Sequence, residues 1–285
     1  LSWRHSNYLL VWLRQSLVCQ LLSLFSDLQS GNKMSTLHLQ SLNVQIAGKV
    51  LCKDLNAQIA ENERWGLLGR NGAGKTTLLH SIMGLRAIDQ GNILFDGQSI
   101  SDIPQRELAT KLGILFQQGI ESMPATVFET VMLGRHPHIQ SLLRDEPKDI
   151  EIASSALAAF DLDKLSNRSV DTLSGGELQR LALAMLVAQT PQVFLLDEPS
   201  NHLDIAFQVK LLSVLKEKIQ EKSASLIMAT HDINLAMRFC DNIILMLEGG
   251  ECLVGERDEI LTEKNLSQAY GCSISTAFNG ERKLF

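Results

Sequence analysis

The segment from Gly69 to Thr77 constrains the fold more strongly than any other part of this 285-residue sequence. It has the sequence GRNGAGKTT and matches the pattern G-x-x-x-x-G-K-[ST], in which glycines let successive backbone N–H groups converge on a phosphate. The pattern needs a strand before the loop and a helix after it, because the phosphate is held at the positive end of that helix. Residues 64–68 suit the strand, and Lys75–Met83 suit a helix ending at Gly84. We therefore predict a strand–loop–helix unit that binds a nucleoside triphosphate.

Two side chains of this loop have a defined role in the predicted chemistry. Lys75 would reach the β- and γ-phosphates, and the Thr76 hydroxyl would ligate Mg²⁺. The predicted nucleotide-binding residues of the loop are Gly69, Arg70, Asn71, Gly72, Ala73, Gly74, Lys75, Thr76 and Thr77.

The hydrophobic pattern predicts an α/β domain with a largely parallel sheet and a helical insertion. Residues 39–46 alternate and predict an edge strand, whereas residues 193–196, 226–229 and 243–247 are continuously apolar, as is typical of buried parallel strands. Between residues 118 and 189 the period is helical. On one predicted helix the residues sharing an apolar face are Ala153, Ala156, Leu157 and Phe160.

Composition excludes several classes of protein. With 45% apolar residues the chain can bury a sizeable core, and with a formal charge of −6 it lacks the broad basic face of a nucleic-acid binder, so no nucleic-acid partner is expected. The cysteines lie far apart and form no C-x-x-C pair, which favours reduced thiols packed as small buried side chains over disulfides or a zinc site. They are Cys19, Cys52, Cys240, Cys252 and Cys272.

The N-terminal 33 residues contain the nearest approach to a membrane span. Polar residues interrupt residues 9–25, and the stretch falls short of the about 20 apolar residues that a span needs. A poor signal peptide, an interfacial helix and residues foreign to the mature protein remain as alternatives. Because Met34 opens a well-patterned strand, we expect residues 1–33 to be a non-native or disordered extension and residues 34–285 to form the functional domain.

Two carboxylates follow the apolar run 193–196. Asp197 and Glu198 would lie at the carboxyl end of a buried strand, where α/β sheets bind ligands. Asp197 is expected to hold Mg²⁺ through its water shell, and Glu198 to polarise the water that attacks the γ-phosphate.

The run LSGGE at residues 173–177 precedes a predicted helix. Ser174 can cap that helix, while Gly175 and Gly176 leave its terminal N–H groups open to an anion. The run is more specific than capping alone demands.

Together these motifs resemble those of the ATP-binding subunits of ABC transporters, from about Met34 to the C-terminus. Residues 69–77 resemble the Walker A loop, 173–177 the family signature and 193–198 the Walker B strand. Residues 200–204 are similar to the D-loop. Gln117 matches the Q-loop glutamine, Asp204 the D-loop aspartate and His231 the switch histidine. The resemblance implies an α/β P-loop NTPase (RecA-like) core with an antiparallel β edge region and an inserted helical subdomain at about residues 118–189.

The resemblance also implies roles and partners for these residues. Two copies would pair head to tail, so that Ser174, Gly175, Gly176 and Asp204 complete the ATP site of the other copy. Glu198, His231 and Gln117 are the implied catalytic residues. The implied Mg²⁺-site residues are Thr76, Gln117 and Asp197.

Two positions depart from the family pattern. Relatives usually have an aromatic residue before Walker A that stacks on adenine, but residues 43–50 contain none, and Trp65 is expected in the core. Phe116 stands before Gln117, where many relatives have proline.

The sequence after Gln117 narrows the subfamily. The run LGRHPH at residues 133–138 resembles "LGR-x-PH" in importers of iron siderophores, haem and cobalamin. His136 and His138 flank Pro137 and are expected to form a surface turn and not a metal site. The resemblance implies an ATP hydrolase on the cytoplasmic face of the inner membrane, peripheral to separate permease subunits that dock near residues 117–138. A periplasmic or surface substrate-binding protein would complete the importer.

Three alternatives stay open at this stage. One is a soluble ABC ATPase without transport, of the iron–sulfur assembly type. Another is an importer ATPase for molybdate or zinc. The third is a module that holds ATP without turnover, which the presence of Glu198 and His231 disfavours.

Overall fold

A six-stranded sheet of order β10-β9-β3-β8-β7-β6 forms the centre of the fold. The computed structural model describes residues 35–117, 120, 123–139, 146–200, 203, 205–279 and 282–284. Neighbouring strands from β9 to β6 are parallel, and β10 is antiparallel to β9. The strands are β3 (Arg64–Leu68), β6 (Leu112–Leu115), β7 (Val193–Asp197), β8 (Ser225–Ala229), β9 (Asn242–Met246) and β10 (Cys252–Glu256).

The central sheet is buried on both faces, which explains its continuously apolar strands. Along β7, Phe194 and Leu196 face one apolar cluster, whereas Val193 and Leu195 face another. Successive side chains of a strand point to opposite faces, so each face needs its own apolar residues. The three predicted apolar strands are confirmed to within a residue at each end.

A second, antiparallel sheet has the order β2-β1-β4-β5. Its β1 lies between two neighbours, so the prediction of an edge strand at residues 39–46 is wrong. The reason is that alternation shows which face is buried but not which strands pair. Pairing of β1 with β4 shifts register between Gln40 and Asn43. The strands are β1 (Ser35–Ile46), β2 (Lys49–Ala60), β4 (Gln90–Phe95) and β5 (Gln98–Ser99); a separate hairpin comprises β11 (Ala277–Asn279) and β12 (Arg282–Leu284).

Helices surround the central sheet and fill the connection between β6 and β7. In that connection α3, α4 and α5 pack on one another, and the predicted apolar face of α4 is buried. The predicted start of the helical subdomain, at about residue 118, lies outside the described residues. The helices are α1 (Lys75–Ile82), α2 (Gln105–Lys111), α3 (Val127–Leu133), α4 (Pro147–Ala159), α5 (Gly175–Gln189), α6 (Ile205–Lys222), α7 (Ile233–Phe239), α8 (Arg257–Ile260) and α9 (Glu263–Tyr270).

Some predictions concern side chains whose burial can be compared directly. Trp65 is buried in the core, as expected, and its indole N–H donates to Glu63 Oε2 at 3.0 Å. Cys52 and Cys240 are buried thiols, and burial raises the pKa of Cys52 to about 11 and that of Cys240 to about 12. Cys272 is exposed, so the prediction of a buried side chain is wrong there. It follows the last turn of α9, beyond the apolar face of that helix.

Several predictions fall outside the described residues. These are the N-terminal extension 1–33, Cys19, Met34 and, in the D-loop, Asn201, His202 and Asp204. Within the part of the chain that the structure describes, no helix has the length and apolar character needed to cross a bilayer.

Candidate nucleotide-binding site

The predicted phosphate loop joins the carboxyl end of β3 to α1. At Gly72 and Gly74 the backbone has φ of +76° and +108°, a region that favours glycine. A Cβ on Gly74 would also lie 2.9 Å from Leu51 Cδ1. The loop therefore needs glycine at residue 74 both for its conformation and for its close approach to β2.

Lys75, the first residue of α1, points back into this loop. Its side chain is buried, and Nζ donates to the carbonyl oxygens of Gly69 at 2.9 Å and Arg70 at 3.4 Å. Burial lowers the pKa of Lys75, and the charges of Glu198 and Asp197 oppose that shift. The ammonium group of Lys75 is thus held inside the phosphate loop, near the carboxylates of Glu198 and Asp197.

A cavity of about 410 Å³ brings most of the predicted site residues together. The phosphate loop, the segment that follows β6 and the carboxyl end of β7 meet there. The phosphate loop at residues 69–77 and the strand end at residues 197–198 lie more than 100 positions apart in the sequence. The lining residues predicted from the sequence are Asn71, Gly72, Gly74, Lys75, Thr76, Thr77, Gln117, Asp197 and Glu198.

Three predicted loop residues do not line that cavity. Arg70 and Ala73 line a second, smaller cavity of about 170 Å³, which shares Asn71 and Gly72 with the larger one. There Arg70 Nη1 lies 3.6 Å from Glu248 Oε2. Gly69 contributes its carbonyl to Lys75. These residues shape the loop and lie outside the lining of the larger cavity.

Asp197 ends β7 with a fully buried side chain. Neither carboxylate oxygen has a hydrogen-bond partner among the described residues. A buried carboxylate without hydrogen bonds is costly, so such a group normally has a charged or metal partner. Oxygen ligands of this kind suit Mg²⁺, and the Thr76 hydroxyl lines the same cavity. The residues present therefore fit the predicted Mg²⁺ site.

Glu198 follows Asp197 in a left-handed conformation, with φ of +51°. Its backbone N–H donates to Ala229 O at 3.0 Å, which fixes the turn against the end of β8. Its buried carboxylate lies 2.7 Å, Oε2 to Nδ1, from His231, which follows the same strand. The parallel register of β7 and β8 thus places the predicted base beside the predicted switch histidine.

The signature residues lie elsewhere on the chain. Ser174 caps α5: the Glu177 N–H donates to Ser174 Oγ at 3.3 Å, and the Ser174 N–H donates to Glu177 Oε2 at 2.7 Å. The Ser174 hydroxyl and N–H hydrogen bonds lower the pKa of Glu177. A Cβ on Gly175 or Gly176 would meet no described atom within 4 Å. None of these residues lines the cavity at Lys75, so one chain does not bring signature and phosphate loop together.

Sequence reasoning missed three residues of the cavity: Ile46, Lys49 and Leu51. Lys49 Nζ donates to Gly72 O at 3.1 Å, which adds a second ammonium group beside the loop. The sequence was examined for an aromatic residue that could stack on adenine. The apolar part of the described lining is instead aliphatic and comes from Ile46 and Leu51. The β1–β2 turn at Ala47 and Gly48, with φ of +47° and +80°, brings these strand ends to the loop.

An apolar groove of about 500 Å³ adjoins the nucleotide cavity. Phe116 lines the groove, and the next residue, Gln117, lines the cavity. The Phe116 side chain is 43% exposed and contacts the edge of His80, with 5.5 Å between ring centroids. Leu133 lines the same groove and is 53% exposed. Adjacent residues of one segment therefore face two different surfaces.

Comparison with known proteins agrees with this architecture. Residues 52–201 match the ABC transporter family. The ferric enterobactin transport ATP-binding protein of Escherichia coli K12 is 35% identical over 78% of this chain and 82% of its own length. The hemin import ATP-binding protein of Pseudomonas aeruginosa PAO1 is 34% identical over 86% of this chain and 96% of its own length.

Solved structures give the same result. An inward-facing metal-chelate type ABC transporter superposes with a TM-score of 0.75 at 26% identity, covering 88% of this chain and 95% of its own. A dimeric, post-hydrolysis ATP-binding cassette with bound ADP and Pi gives 0.68 at 27% identity, covering 78% and 98%. The predicted resemblance and fold class are confirmed: this chain belongs to the ABC transporter family, among its ATP-binding subunits.

Proposed function

We propose that this chain binds and hydrolyses ATP to power an importer of an iron chelate, haem or cobalamin. The observation that carries the proposal is one cavity in which Lys75, Gln117 and Asp197 meet Glu198, with His231 hydrogen-bonded to Glu198. The relatives described above, named for ferric enterobactin and hemin, support the substrate class.

The chain's own residues account for binding of the triphosphate. Backbone N–H groups at the start of α1 and the ammonium groups of Lys75 and Lys49 surround the phosphates. The aliphatic side chains of Ile46 and Leu51 cover the base in place of an aromatic residue. Thr76, Gln117 and Asp197 would hold Mg²⁺, which when bound would neutralise charge that develops on the phosphates.

Glu198 is the residue that prepares the attacking water. It accepts a proton as the water oxygen bonds to the γ-phosphorus and the bond to the β-phosphate oxygen breaks, which yields ADP and inorganic phosphate. A carboxylate only accepts hydrogen bonds, so His231 holds its proton on Nδ1 when it contacts ionised Glu198. His231 therefore orients Glu198 through Nδ1. A contact from its Nε2 to a γ-phosphate oxygen would need a proton on Nε2, because a phosphate oxygen only accepts hydrogen bonds.

The separation of Ser174–Gly176 from the loop supports a head-to-tail homodimer. In that dimer Ser174, Gly175, Gly176 and Asp204 of one copy close the ATP site of the other. The open space around Gly175 and Gly176 is the surface that a second chain would occupy. The dimeric cassette among the solved structures supports this arrangement.

Permease subunits are the proposed membrane partners. The apolar groove, with the exposed side chains of Phe116 and Leu133, is where their cytoplasmic segments would dock. Residues 118–189 would move as the helical subdomain of the ATPase domain 34–285. The chain would lie peripherally at the cytoplasmic face of the inner membrane, and an external substrate-binding protein would deliver the compound.

Two experiments test the activity and the substrate class. Purified chain should release inorganic phosphate from ATP in the presence of Mg²⁺. A deletion strain should lose uptake of one radiolabelled compound among ferric chelates, haem and cobalamin, and complementation with the gene should restore it. Normal uptake of all three would contradict the substrate class, and absence of phosphate release with or without the permease would contradict the enzymatic function.

A further inference from the structure

The run Gly134–His138, which marks the subfamily in the sequence, contacts the C-terminal end of α5. Gly134 ends α3 so close to α5 that a Cβ would lie 2.3 Å from Met185 O. A real Cβ does not approach a carbonyl oxygen so closely, so glycine is required for this packing.

Arg135 is buried beside that contact. Its Nε lies 2.8 Å from Asp149 Oδ1 on α4, and the two residues are only 4% and 5% exposed. Its Nη1 donates to Ala188 O at 2.6 Å and to Thr190 Oγ1 at 3.0 Å. The guanidinium therefore satisfies a carbonyl in the last turn of α5, where a positive charge also complements the helix dipole.

His138 completes the contact and extends it to the α/β core. Its Nε2 donates to Gln189 O at 2.8 Å. The Gln189 side chain donates to Ala109 O at 2.6 Å and to Leu112 O at 3.0 Å, at the end of α2 and the start of β6. The last turn of α5 is thus held to α3, to α4 and to the central sheet at once.

These contacts lie at the wall of the apolar groove. Gly134, His136 and Pro137 line the groove together with Met185 and Gln189 of α5. At its other end the same helix is capped by Ser174, in the signature. A helix of this length spans about 22 Å, so α5 connects the groove directly to the surface proposed to meet the partner's ATP.

We propose that Gly134–His138 and Asp149 form a set of contacts, the α5 clasp, that makes α5 move together with the permease segment bound in the groove. Arg135 is its central positioning residue: it sets the position of α5 and touches neither nucleotide nor reacting atoms. This inference rests on the proposed function, in which the groove receives the permease. A buried ion pair with hydrogen bonds favours one relative position of α5, α3 and α4, whereas a purely apolar contact would allow the helices to shift against one another.

The test removes the ion pair without leaving a buried unpaired charge. The variant is Arg135→Met with Asp149→Leu, compared with the wild-type chain alone and in proteoliposomes with its co-expressed permease. The isolated variant should bind and hydrolyse ATP within about twofold of wild type, because no residue of the clasp lines the nucleotide cavity. Its stimulation by the permease should fall about tenfold, the size of a typical coupling between sites.

Two further variants keep the test interpretable. Arg135→Lys retains the paired charge but loses the fork that reaches Ala188 O, so its stimulation should be intermediate. Arg64→Met with Asp241→Leu removes another Arg–Asp pair, with Nη2 to Oδ1 of 2.7 Å, outside the groove lining, and should leave stimulation unchanged.

The outcomes separate the clasp from the function on which it rests. Full stimulation of the Arg135→Met/Asp149→Leu chain would overturn the inference, and so would equal losses with and without permease, which would make the clasp merely a folding element. A wild-type chain that fails to associate with the permease or to hydrolyse ATP would overturn the proposed function and the inference together.

Discussion

The Nδ1 atom of His231 lies 2.7 Å from Oε2 of Glu198, across the carboxyl ends of two neighbouring parallel strands. Glu198 is buried and its backbone is held in a left-handed conformation, whereas the His231 side chain is 57% exposed. The histidine can therefore change position more readily than the carboxylate. In this arrangement Glu198 is fixed, and His231 is the movable member of the pair.

The first prediction concerns Glu198→Gln. The amide keeps the shape of the side chain but cannot accept a proton from water, so ATP should still bind while the rate of hydrolysis falls on the order of 10²–10³-fold. Phosphate release measures the rate, and size-exclusion chromatography with ATP should show a trapped dimer. The exposed Glu61→Gln is the control and should retain full activity. Undiminished phosphate release would remove Glu198 from its proposed role.

The second prediction concerns Asp197→Asn. Since both oxygens of the buried carboxylate lack partners among the described residues, loss of the charge should not lower stability without ligand. The amide is a weaker Mg²⁺ ligand, so the rise in melting temperature that Mg²⁺ adds to ATP binding should disappear. Thermal unfolding with ATP, in EDTA and in Mg²⁺, measures both effects. A variant that still responds fully to Mg²⁺ would place the ion elsewhere.

The strands of the central sheet were the most predictable part of the fold. For β7, four apolar residues followed by two carboxylates predicted both the strand and its functional end, and the observed element extends only one residue further, to Asp197. A strand that is buried on both faces leaves little freedom in its sequence, so local pattern suffices. The helix after the phosphate loop was predictable for a different reason: Gly74 and Gly84, both with positive φ, mark its two ends.

Features that depend on distant parts of the chain were not predictable. The alternation in β1 identifies its buried face but not its pairing with β2 and β4. The sequence predicted a surface turn at residues 136–138, but it contained no sign that the preceding Arg135 is buried, because the partners of Arg135 lie on α4 and α5. Ile46 and Leu51 enter the cavity only through the geometry of the β1–β2 turn. Such contacts arise from tertiary packing, which local periodicity does not encode.

The third prediction concerns pH and Lys75. Burial lowers its pKa below the ordinary value of 10.5. Between the lowered pKa and 10.5, the folded chain binds fewer protons than the unfolded chain, so this group makes unfolding less favourable as pH rises. Binding of ATP needs the charged ammonium, so affinity should fall as pH rises through the lowered pKa, and binding there should take up protons. Titration calorimetry in buffers of different ionisation enthalpy measures that uptake.

Lys75→Ala provides the control for this pH effect. Loss of a hydrogen bond to a charged group costs about 1.5–3 kcal/mol, so ATP affinity should fall about 10- to 100-fold and lose its alkaline dependence. Proton uptake that persists in Lys75→Ala would assign the titration to another group.

The fourth prediction concerns Phe116→Ala. An exposed aromatic side chain in an apolar groove is a typical interface anchor, so association with the permease should weaken about 10- to 100-fold. Affinity for ATP in the isolated chain should stay unchanged, because Phe116 does not line the nucleotide cavity. Val209→Ala is the matched control, since Val209 on α6 is 51% exposed and lies outside the groove lining. Equal effects of the two variants on co-purification would argue against docking at this groove.

The last prediction compares two glycines that have opposite surroundings. Gly134→Ala would force a Cβ to within 2.3 Å of Met185 O and should destabilise the chain by about 1–3 kcal/mol. Gly175→Ala meets open space in the first turn of α5 and should leave the melting temperature unchanged or slightly raised, because alanine favours the helix by up to about 1 kcal/mol. Thermal unfolding distinguishes the two.

Gly175→Ala should lower the rate of ATP hydrolysis although it does not lower the stability of the fold. Gly175→Ala places a methyl group on the surface proposed to close over the partner's γ-phosphate, so phosphate release should fall although the fold is intact. The defect should appear as loss of the ATP-dependent dimer when Gly175→Ala is combined with Glu198→Gln, while ATP affinity of the monomer is unchanged. The added methyl group would meet no atom of the described residues within 4 Å outside its own helix turn. A stable Gly175→Ala protein that still dimerises and hydrolyses ATP at the wild-type rate would therefore show that a second chain does not approach this end of α5.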